Sequence, residues 1–252
     1  MNTERSDLEE AGAVQLGELR GVIALDGPSG TGKSTVARRL ADALGAGYLD
    51  TGAMYRAVTL AVLRSGVATD DDEAVLSIAE NVDLKVSTDP NHQETLLGGE
   101  NVGAEIRGQA VTLAVSAVSA VAGVRALLVA RQMRIIAEVC ETRGGIVVEG
   151  RDIGTAVAPD AALKVFLTAS ADARALRRSL QDNASGREVS IDDTRKDVDR
   201  RDRLDSGRTT SPMQPADDAV WLDTTELDLQ GVLDEILALV AERDLRGVAA
   251  GW

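Results

Sequence analysis

Aromatic residues, cysteine and histidine are scarce in this chain of 252 residues. Phe, Tyr and Trp make up only 2% of the sequence, so the core must consist of Ala, Val, Leu and Ile. The one cysteine, Cys140, excludes an internal disulfide framework and any metal site built on several cysteines. The one histidine, His92, excludes metal sites with paired histidines, and a Ser–His–Asp triad would have to use it.

Basic residues are also fewer than acidic ones: the chain has 27 Lys and Arg and 41 Asp and Glu, so its formal net charge is −14. This balance argues against a general nucleic-acid-binding protein, whose surface is basic. No apolar run approaches membrane-spanning length, and the acidic N-terminus lacks the apolar segment of a secretory signal. We therefore expect a cytoplasmic protein without a nucleic-acid or membrane partner.

The two ends of the chain differ from its middle. Residues 1–20 are polar and acidic, which predicts a mobile extension, and residues 247–252 predict a frayed tail. Residues 21–246 are long enough for one domain. Five short apolar runs within them are typical of buried parallel strands: Val22–Asp26, Gly47–Asp50, Gly145–Glu149, Leu163–Thr168 and Ala219–Asp223.

Helical patterns separate these runs. We expect helices over Lys33–Leu44, from a Thr69–Asp72 capping box to Asn81, over Val124–Thr142 and around Val232–Val240. Strands that alternate with helices predict a doubly wound α/β domain with a five-stranded parallel sheet.

Residues 82–107 interrupt this alternation. Their pattern predicts three short antiparallel strands: Val82–Ser87, Gln93–Leu97 and Asn101–Ile106. We interpret them as part of a small inserted β/α nucleotide-binding subdomain over about residues 53–120, the alternative being an extension of the main sheet. The polar segment Gln181–Ser190 predicts a mobile loop between helices and therefore a short lid over about residues 178–192.

A glycine-rich segment carries the strongest functional signal. Gly27–Ser34 fits the motif G-x-x-x-x-G-K-[ST] between a predicted strand and a predicted helix, which is the context that the motif requires. In such a loop the backbone N–H groups bind nucleotide phosphates, Lys33 reaches the β- and γ-phosphates, and a Ser34 hydroxyl binds Mg²⁺. The predicted ATP site comprises Gly27, Pro28, Ser29, Gly30, Thr31, Gly32, Lys33, Ser34 and Thr35.

The absence of a guanine-recognition motif argues against one class of phosphate-loop protein, the GTPases. A GTPase needs an Asn-Lys-x-Asp motif to recognise guanine, and no lysine in this chain follows an asparagine. The small size and the inserted segment favour a kinase that acts on small molecules.

Polar residues follow the second and third predicted strands. Thr51 and Arg56 offer a hydroxyl and a guanidinium after the second strand. Glu149 ends the third strand, where a carboxylate could hold a water molecule on Mg²⁺, and Arg151 and Asp152 come next. Because α/β proteins bind ligands at the carboxyl ends of their strands, these residues are candidates for an acceptor site, although a structural Arg–Asp pair at a turn is an alternative.

A third group lies in a helical segment near the C-terminus. Arg201, Asp205 and Arg208 fall at positions i, i+4 and i+7, so they share one face of the predicted helix. Such a cluster fits phosphate binding, and it also fits an ordinary solvated helix face.

Together these segments resemble bacterial cytidylate kinases, which are phosphate-loop nucleoside monophosphate kinases. The resemblance spans about residues 21–240, and its Tyr-Arg, Gly-Arg-Asp and Arg-Asp-x-x-Asp-Ser-x-Arg motifs are more specific than the phosphate loop. The matching segments, in the order of the family, are Asp26–Ser34, Leu49–Arg56, Glu105–Arg107, Val124–Arg125, Glu149–Thr155, Arg201–Arg208, Ser211–Pro212 and Ala216–Ala219.

The resemblance implies Mg²⁺-dependent transfer of the γ-phosphoryl group of ATP to CMP or dCMP by a monomer. It implies that the catalytic residues are Lys33, Arg151, Arg201 and Arg208. It implies that CMP is bound by Thr51, Arg56, Ser116, Arg125, Arg151, Asp152, Arg201, Asp205 and Arg208. Mg²⁺ would be held by Ser34 directly and by Glu149 through water, although many relatives have Asp at the latter position. The candidates for lid residues are Arg174, Arg177 and Arg187.

The chemistry of cytosine agrees with the residues implied for base recognition. Asp152 can accept a hydrogen bond from the amino group at C4, and Arg125 can donate to N3 and O2. Uracil reverses the donors and acceptors at C4 and N3, so we predict a preference for CMP over UMP. Ser116 and Arg125 lie nine residues apart in a region predicted to be helical, so spacing alone does not bring them together. Another phosphate-loop kinase and a catalytically silent nucleotide-binding module are the alternatives.

Overall fold

The computed structural model describes residues 18–184 and 190–247. Its main sheet contains five parallel strands, and the predicted apolar runs match them within one residue at each end. These strands are β1 (Gly21–Asp26), β2 (Gly47–Asp50), β6 (Gly145–Glu149), β7 (Leu163–Thr168) and β8 (Val220–Asp223). Their order in the sheet is β2-β6-β1-β7-β8. The carboxyl ends of β1, β2 and β6 therefore lie side by side.

Eight helices are present in the described residues. They are α1 (Lys33–Ala43), α2 (Thr51–Ser65), α3 (Asp72–Asn81), α4 (Gln109–Ala120), α5 (Ala122–Arg143), α6 (Ala171–Ala184), α7 (Ile191–Ser206) and α8 (Leu229–Glu242). No single one of them is long and apolar enough to cross a membrane. Helices α4 and α5 reach that length and apolar composition only if they are taken together, and they are bent by 94° at their junction. The predicted doubly wound α/β architecture is confirmed.

Two apolar layers cover the sheet, because successive side chains of a strand point to opposite faces. In β1, Ile23 and Leu25 face a layer that contains α1 and α8, whereas Ala24 faces a layer that contains α2, α4 and α5. All three side chains are fully buried. Burial on both faces explains why the strands read as continuous apolar runs.

The start of α3 differs from the expectation. Asp71 caps this helix, because its side chain accepts a hydrogen bond from the Ala74 N–H at 3.0 Å. The predicted capping box at Thr69 and Asp72 is therefore wrong, and Asp72 is the first residue of the helix. Helix α5 is followed by Gly144, whose φ of 86° is a left-handed conformation that ends the helix.

A separate three-stranded antiparallel sheet occupies part of the predicted insertion. Its strands are β3 (Leu84–Val86), β4 (Thr95–Leu97) and β5 (Glu100–Asn101), in the order β3-β4-β5. It is not hydrogen-bonded to the main sheet, so the alternative of a main-sheet extension is wrong. The third predicted strand, Asn101–Ile106, is too long, because Glu105–Arg107 forms a 3₁₀ turn.

The boundaries of the domain also need correction. Leu19 is fully buried and forms an isolated bridge with Arg246, so residues 18–20 belong to the folded domain rather than to the predicted extension. The Gly247 N–H donates to the Glu18 carbonyl at 2.7 Å, which places Gly247 there as well. The other residues of the predicted extension and tail lie outside the described residues.

Part of the predicted loop Gln181–Ser190 is helical. Helix α6 continues to Ala184, and α7 begins at Ile191. Residues 185–189, which include the candidate Arg187, lie outside the described residues.

Candidate active site

One cavity of about 500 Å³ at the carboxyl ends of β1, β2 and β6 is lined by every predicted site residue except Gly27 and Pro28. These two are the first residues of the phosphate loop, and their backbone carbonyls accept hydrogen bonds from side chains that line the cavity. The Gly27 carbonyl accepts from Arg151 Nη1 at 3.0 Å, and the Pro28 carbonyl accepts from Lys33 Nζ at 2.6 Å. The structure therefore brings the predicted donor and acceptor residues into a single space.

The phosphate loop depends on glycine at the turn after β1. Gly27, Gly30 and Gly32 have φ angles of 142°, 82° and 89°, which side chains rarely adopt. A Cβ atom on Gly27 would lie 2.1 Å from the Leu167 carbonyl oxygen. Gly32 precedes α1 and provides no side-chain cap, so the N–H groups at the start of this helix remain available to phosphate.

The side chain of Lys33 folds back over this loop. Its Nζ donates to the Pro28 carbonyl and to Thr31 Oγ1 at 3.3 Å, both of which are uncharged. Burial lowers the pKa of Lys33 well below its usual value, and the positive charge of Arg151 lowers it further. A polyphosphate bound in the loop would favour the charged form of this amine.

A buried carboxylate faces the first turn of α1. Glu149 accepts a hydrogen bond from Ser34 Oγ at 2.9 Å and another from the Tyr48 hydroxyl at 2.6 Å. Burial raises the pKa of Glu149 to about 7, and the negative charge of Asp50 adds to this effect. A desolvated carboxylate next to a serine hydroxyl fits a divalent cation, which would stabilise the ionised form.

No group of three or more His, Cys, Asp or Glu side chains within residues 18–184 and 190–247 could hold a metal ion alone. Mg²⁺ commonly binds through one or two protein side chains together with substrate phosphates. Ser34 and Glu149 fit that mode, in which the nucleotide completes the coordination shell.

The residues expected to recognise the base are deeply buried and line the same cavity. Arg125 and Asp152 are 1% and 4% exposed and form a direct ion pair. Arg125 also lies over the ring of Tyr55, with 5.3 Å between its Cζ and the ring centroid. The 94° bend between α4 and α5 explains how Ser116, on α4, reaches the same cavity as Arg125, on α5.

Arginine side chains concentrate between the base-recognition residues and the phosphate loop. Arg151 donates from Nε to Asp205 at 3.1 Å and from Nη2 to Ser29 Oγ at 2.8 Å. Burial lowers the pKa of Arg56 to about 9 and that of Arg201 to about 10, and neighbouring arginines lower both further. Such excess buried positive charge is suited to an anionic ligand.

The placement of Arg208 differs from the expectation of a shared helix face. Helix α7 ends at Ser206, so Arg208 follows the helix instead of lying on it. Its Nε donates to the Asp205 carbonyl at 3.1 Å, and Arg208 lines the cavity together with Arg201 and Asp205. The three residues therefore share a cavity without sharing a helix face.

Comparison with known proteins agrees with this geometry. The family profile described as cytidylate kinase matches residues 23–242. The chain belongs to the cytidylate kinase family. A cytidylate kinase of Rhodococcus opacus (strain B4) is 56% identical over 222 residues, which cover 88% of this chain and 95% of that protein. One of Nocardia farcinica (strain IFM 10152) is 54% identical over 228 residues, with coverages of 90% and 97%.

Among solved structures, a gluconokinase from Sinorhizobium meliloti 1021 is 17% identical and gives a TM-score of 0.45, with coverages of 89% of this chain and 94% of that chain.

One residue of this cytidylate kinase site, Asp202, was given no role from the sequence, although it lies in the matching segment Arg201–Arg208. Asp202, on α7, accepts from the Ser29 N–H of the phosphate loop at 3.0 Å and pairs with Arg174 of α6. Arg174 also donates to the Ser29 carbonyl at 3.2 Å. Another lid candidate, Arg177, lines the cavity and donates to Thr224 Oγ1 at 2.9 Å. Helices α6 and α7 are thus joined to the phosphate loop.

Proposed function

We propose that the protein transfers the γ-phosphoryl group of ATP to CMP or dCMP and releases ADP with CDP or dCDP. The observation that carries this proposal is the shared cavity, which is lined by a phosphate loop, by the buried Arg125–Asp152 pair and by a group of arginines. Its volume of about 500 Å³ falls in the range of small-molecule sites.

Recognition of cytosine rests on Asp152 and Arg125. The Asp152 carboxylate accepts from the cytosine amino group, Arg125 donates to N3 and O2, and Ser116 lies in the same wall of the cavity. Because both charged groups are buried, a base with the opposite pattern would leave them without hydrogen-bond partners. The ribose would contact Asp205 and Arg201, and Thr51 would border the acceptor nucleotide.

Transfer needs no strong general base, because an oxygen of the acceptor phosphate is itself the nucleophile. It attacks the γ-phosphorus, and the bond to the β–γ bridging oxygen breaks, so that ADP leaves with that electron pair. Arg56, Arg151, Arg201 and Arg208 screen the repulsion between the two polyanions, and Lys33 holds the donor phosphates. When bound, Mg²⁺ neutralises negative charge on the donor phosphates, with Ser34 as a ligand and Glu149 holding a coordinated water.

Helices α6 and α7 would serve as the lid. The contacts that Arg174 and Asp202 make with Ser29 of the phosphate loop support this proposal. Closure over bound nucleotides would exclude water and reduce wasteful hydrolysis of ATP.

The experiment is a steady-state assay of ATP consumption with Mg²⁺ and a panel of acceptors: CMP, dCMP, UMP, AMP, GMP and none. We expect rapid turnover only with the cytosine nucleotides. Turnover with another acceptor instead would keep the phosphate-loop chemistry and overturn the base site. A catalytically silent nucleotide-binding module would give no turnover with any acceptor while still binding ATP.

A further inference from the structure

Asp26 is a buried carboxylate that the proposed mechanism does not use. It is the last residue of β1, directly before the phosphate loop, and it is 5% exposed. One of its oxygens accepts from the Ile153 N–H and the other from the Gly154 N–H, each at 2.8 Å. These two N–H groups open the short turn Ile153–Val157, which follows Asp152 immediately.

Asp152 occupies the capping position of that turn but does not cap it. An aspartate there normally accepts hydrogen bonds from the first N–H groups of its own turn. The Asp152 carboxylate makes no such bond and is directed to Arg125 instead. Asp26, at the end of β1, accepts instead from the first two N–H groups of the turn, and that of Gly154 is one that a capping aspartate would bind.

We propose that Asp26 is a positioning residue for base recognition: it caps the Ile153–Val157 turn in place of Asp152 and so keeps the Asp152 carboxylate available to cytosine. The inference rests on the proposed function, because it gives Asp152 a role in recognising the base. Asp26 itself does not touch the cavity wall that holds the base; it acts through its neighbours in the fold.

The charge state of Asp26 supports this role. Burial raises the pKa of Asp26 to about 6, and the charge of Asp152 raises it too, whereas the N–H groups of Gly154 and Ile153 lower it. At neutral pH the carboxylate is therefore ionised, and both of its oxygens can accept. The charge of Lys33 also favours the ionised form.

The position of Asp26 also links the two halves of the site. Its next residue, Gly27, accepts a hydrogen bond from Arg151 at 3.0 Å, and Arg151 is next to Asp152. The start of the phosphate loop and the base-recognition loop are thus joined by the Asp26 carboxylate and by the Arg151 guanidinium. The cap fixes the acceptor base relative to the donor phosphates.

The test is a double-mutant cycle with wild type, Asp26→Asn, Asp152→Asn and the double variant, measured as kcat/KM for CMP. Asp26→Asn keeps the side-chain size but places an amide NH₂ against one of the two N–H donors. We expect kcat/KM for CMP to fall about tenfold, with less than a twofold change in KM for ATP. In the Asp152→Asn background the same substitution should have almost no further effect, because Asp26 acts through Asp152.

A second readout does not depend on activity. Amide hydrogen exchange at Ile153 and Gly154 should be slow in wild type and faster in Asp26→Asn. Asp71→Asn is the matched control, since Asp71 also accepts from a backbone N–H, that of Ala74 at 3.0 Å, but does not line the cavity, and its replacement should leave both readouts unchanged.

Three results would overturn the inference. They are an unchanged kcat/KM in Asp26→Asn, an equal loss in both backgrounds, and unchanged amide exchange at residues 153 and 154. An equal loss would show a merely structural role for Asp26. If instead Asp152→Asn alone leaves the use of CMP unchanged, the base site of the proposed function fails, and the inference fails with it.

Discussion

Replacing Glu149 by Gln removes a buried charge while both hydrogen bonds of this side chain can remain. The Tyr48 hydroxyl can still donate to the amide oxygen, and the amide NH₂ can donate to Ser34 Oγ. Burial raises the pKa of Glu149 from 4.5 to about 7, so the ionised carboxylate destabilises the nucleotide-free protein. At about 1.4 kcal/mol per pKa unit, the free energy of unfolding should rise by about 3 kcal/mol in the variant at pH 8.

The size of this effect depends on pH. As pH falls from 7 to 4.5, the native state takes up the proton before the unfolded chain does, so the destabilisation disappears over that interval. The stability gain of Glu149→Gln should therefore be about 3 kcal/mol above pH 7 and close to zero at pH 4.5. Thermal unfolding at pH 8 should shift upwards by about 6–12 °C.

Urea denaturation of the nucleotide-free protein between pH 4.5 and 8 measures this difference. Glu138→Gln is the control, because this exposed glutamate on α5 carries no buried charge and its replacement should change nothing. If the free energy of unfolding shows no gain at pH 8, or the same gain at every pH, Glu149 does not have a raised pKa. The variant should also need more Mg²⁺ for half-maximal turnover, since it lacks the carboxylate proposed to hold a coordinated water.

Other substitutions separate turnover from stability. Lys33→Ala should lower kcat about a hundredfold or more, because the donor phosphates lose their amine, while the urea midpoint changes little. Arg208→Ala should lower kcat similarly, since screening of the acceptor phosphate is lost. Gly27→Ala should lower the free energy of unfolding by about 3 kcal/mol or more, because its Cβ would lie 2.1 Å from the Leu167 carbonyl oxygen at a φ of 142°.

A specific outcome would contradict each of these three predictions. Near-normal turnover with Lys33→Ala or Arg208→Ala would remove that residue from the transition state. For the glycine, the control is Gly231→Ala in the first turn of α8, where a Cβ would be no closer than 3.4 Å to any neighbour. Equal stabilities of the two alanine variants would contradict the steric argument.

The sheet was predictable from the sequence because parallel strands buried on both faces leave an unbroken apolar run. β1, β2, β6 and β7 follow that rule, whereas the edge strand β8 has no fully buried residue and leaves Trp221 63% exposed. The phosphate loop was predictable for a local reason, since its glycines and Lys33 act within eight consecutive residues. The start of α3 was not, because Thr69 and Asp71 both suit a helix cap and only the fold selects between them.

Much of the site depends on contacts that spacing does not reveal. Ser116 and Arg125 line the same cavity because the chain bends by 94° between α4 and α5, at a junction without proline. The Asp202–Ser29 contact joins residues 173 positions apart. Asp26 belongs to the matched motif, yet its partners are backbone N–H groups more than a hundred residues away, which no residue pattern identifies.

The most direct test of cytosine recognition is the ratio of kcat/KM for CMP to that for UMP, measured in wild type and in Asp152→Asn. We expect a strong preference for CMP in wild type. We expect a ratio at least about tenfold lower in the variant, because an asparagine amide can also donate to the uracil carbonyl at C4. Equal use of CMP and UMP by wild type, or a ratio that Asp152→Asn leaves unchanged, would contradict recognition of cytosine by Asp152.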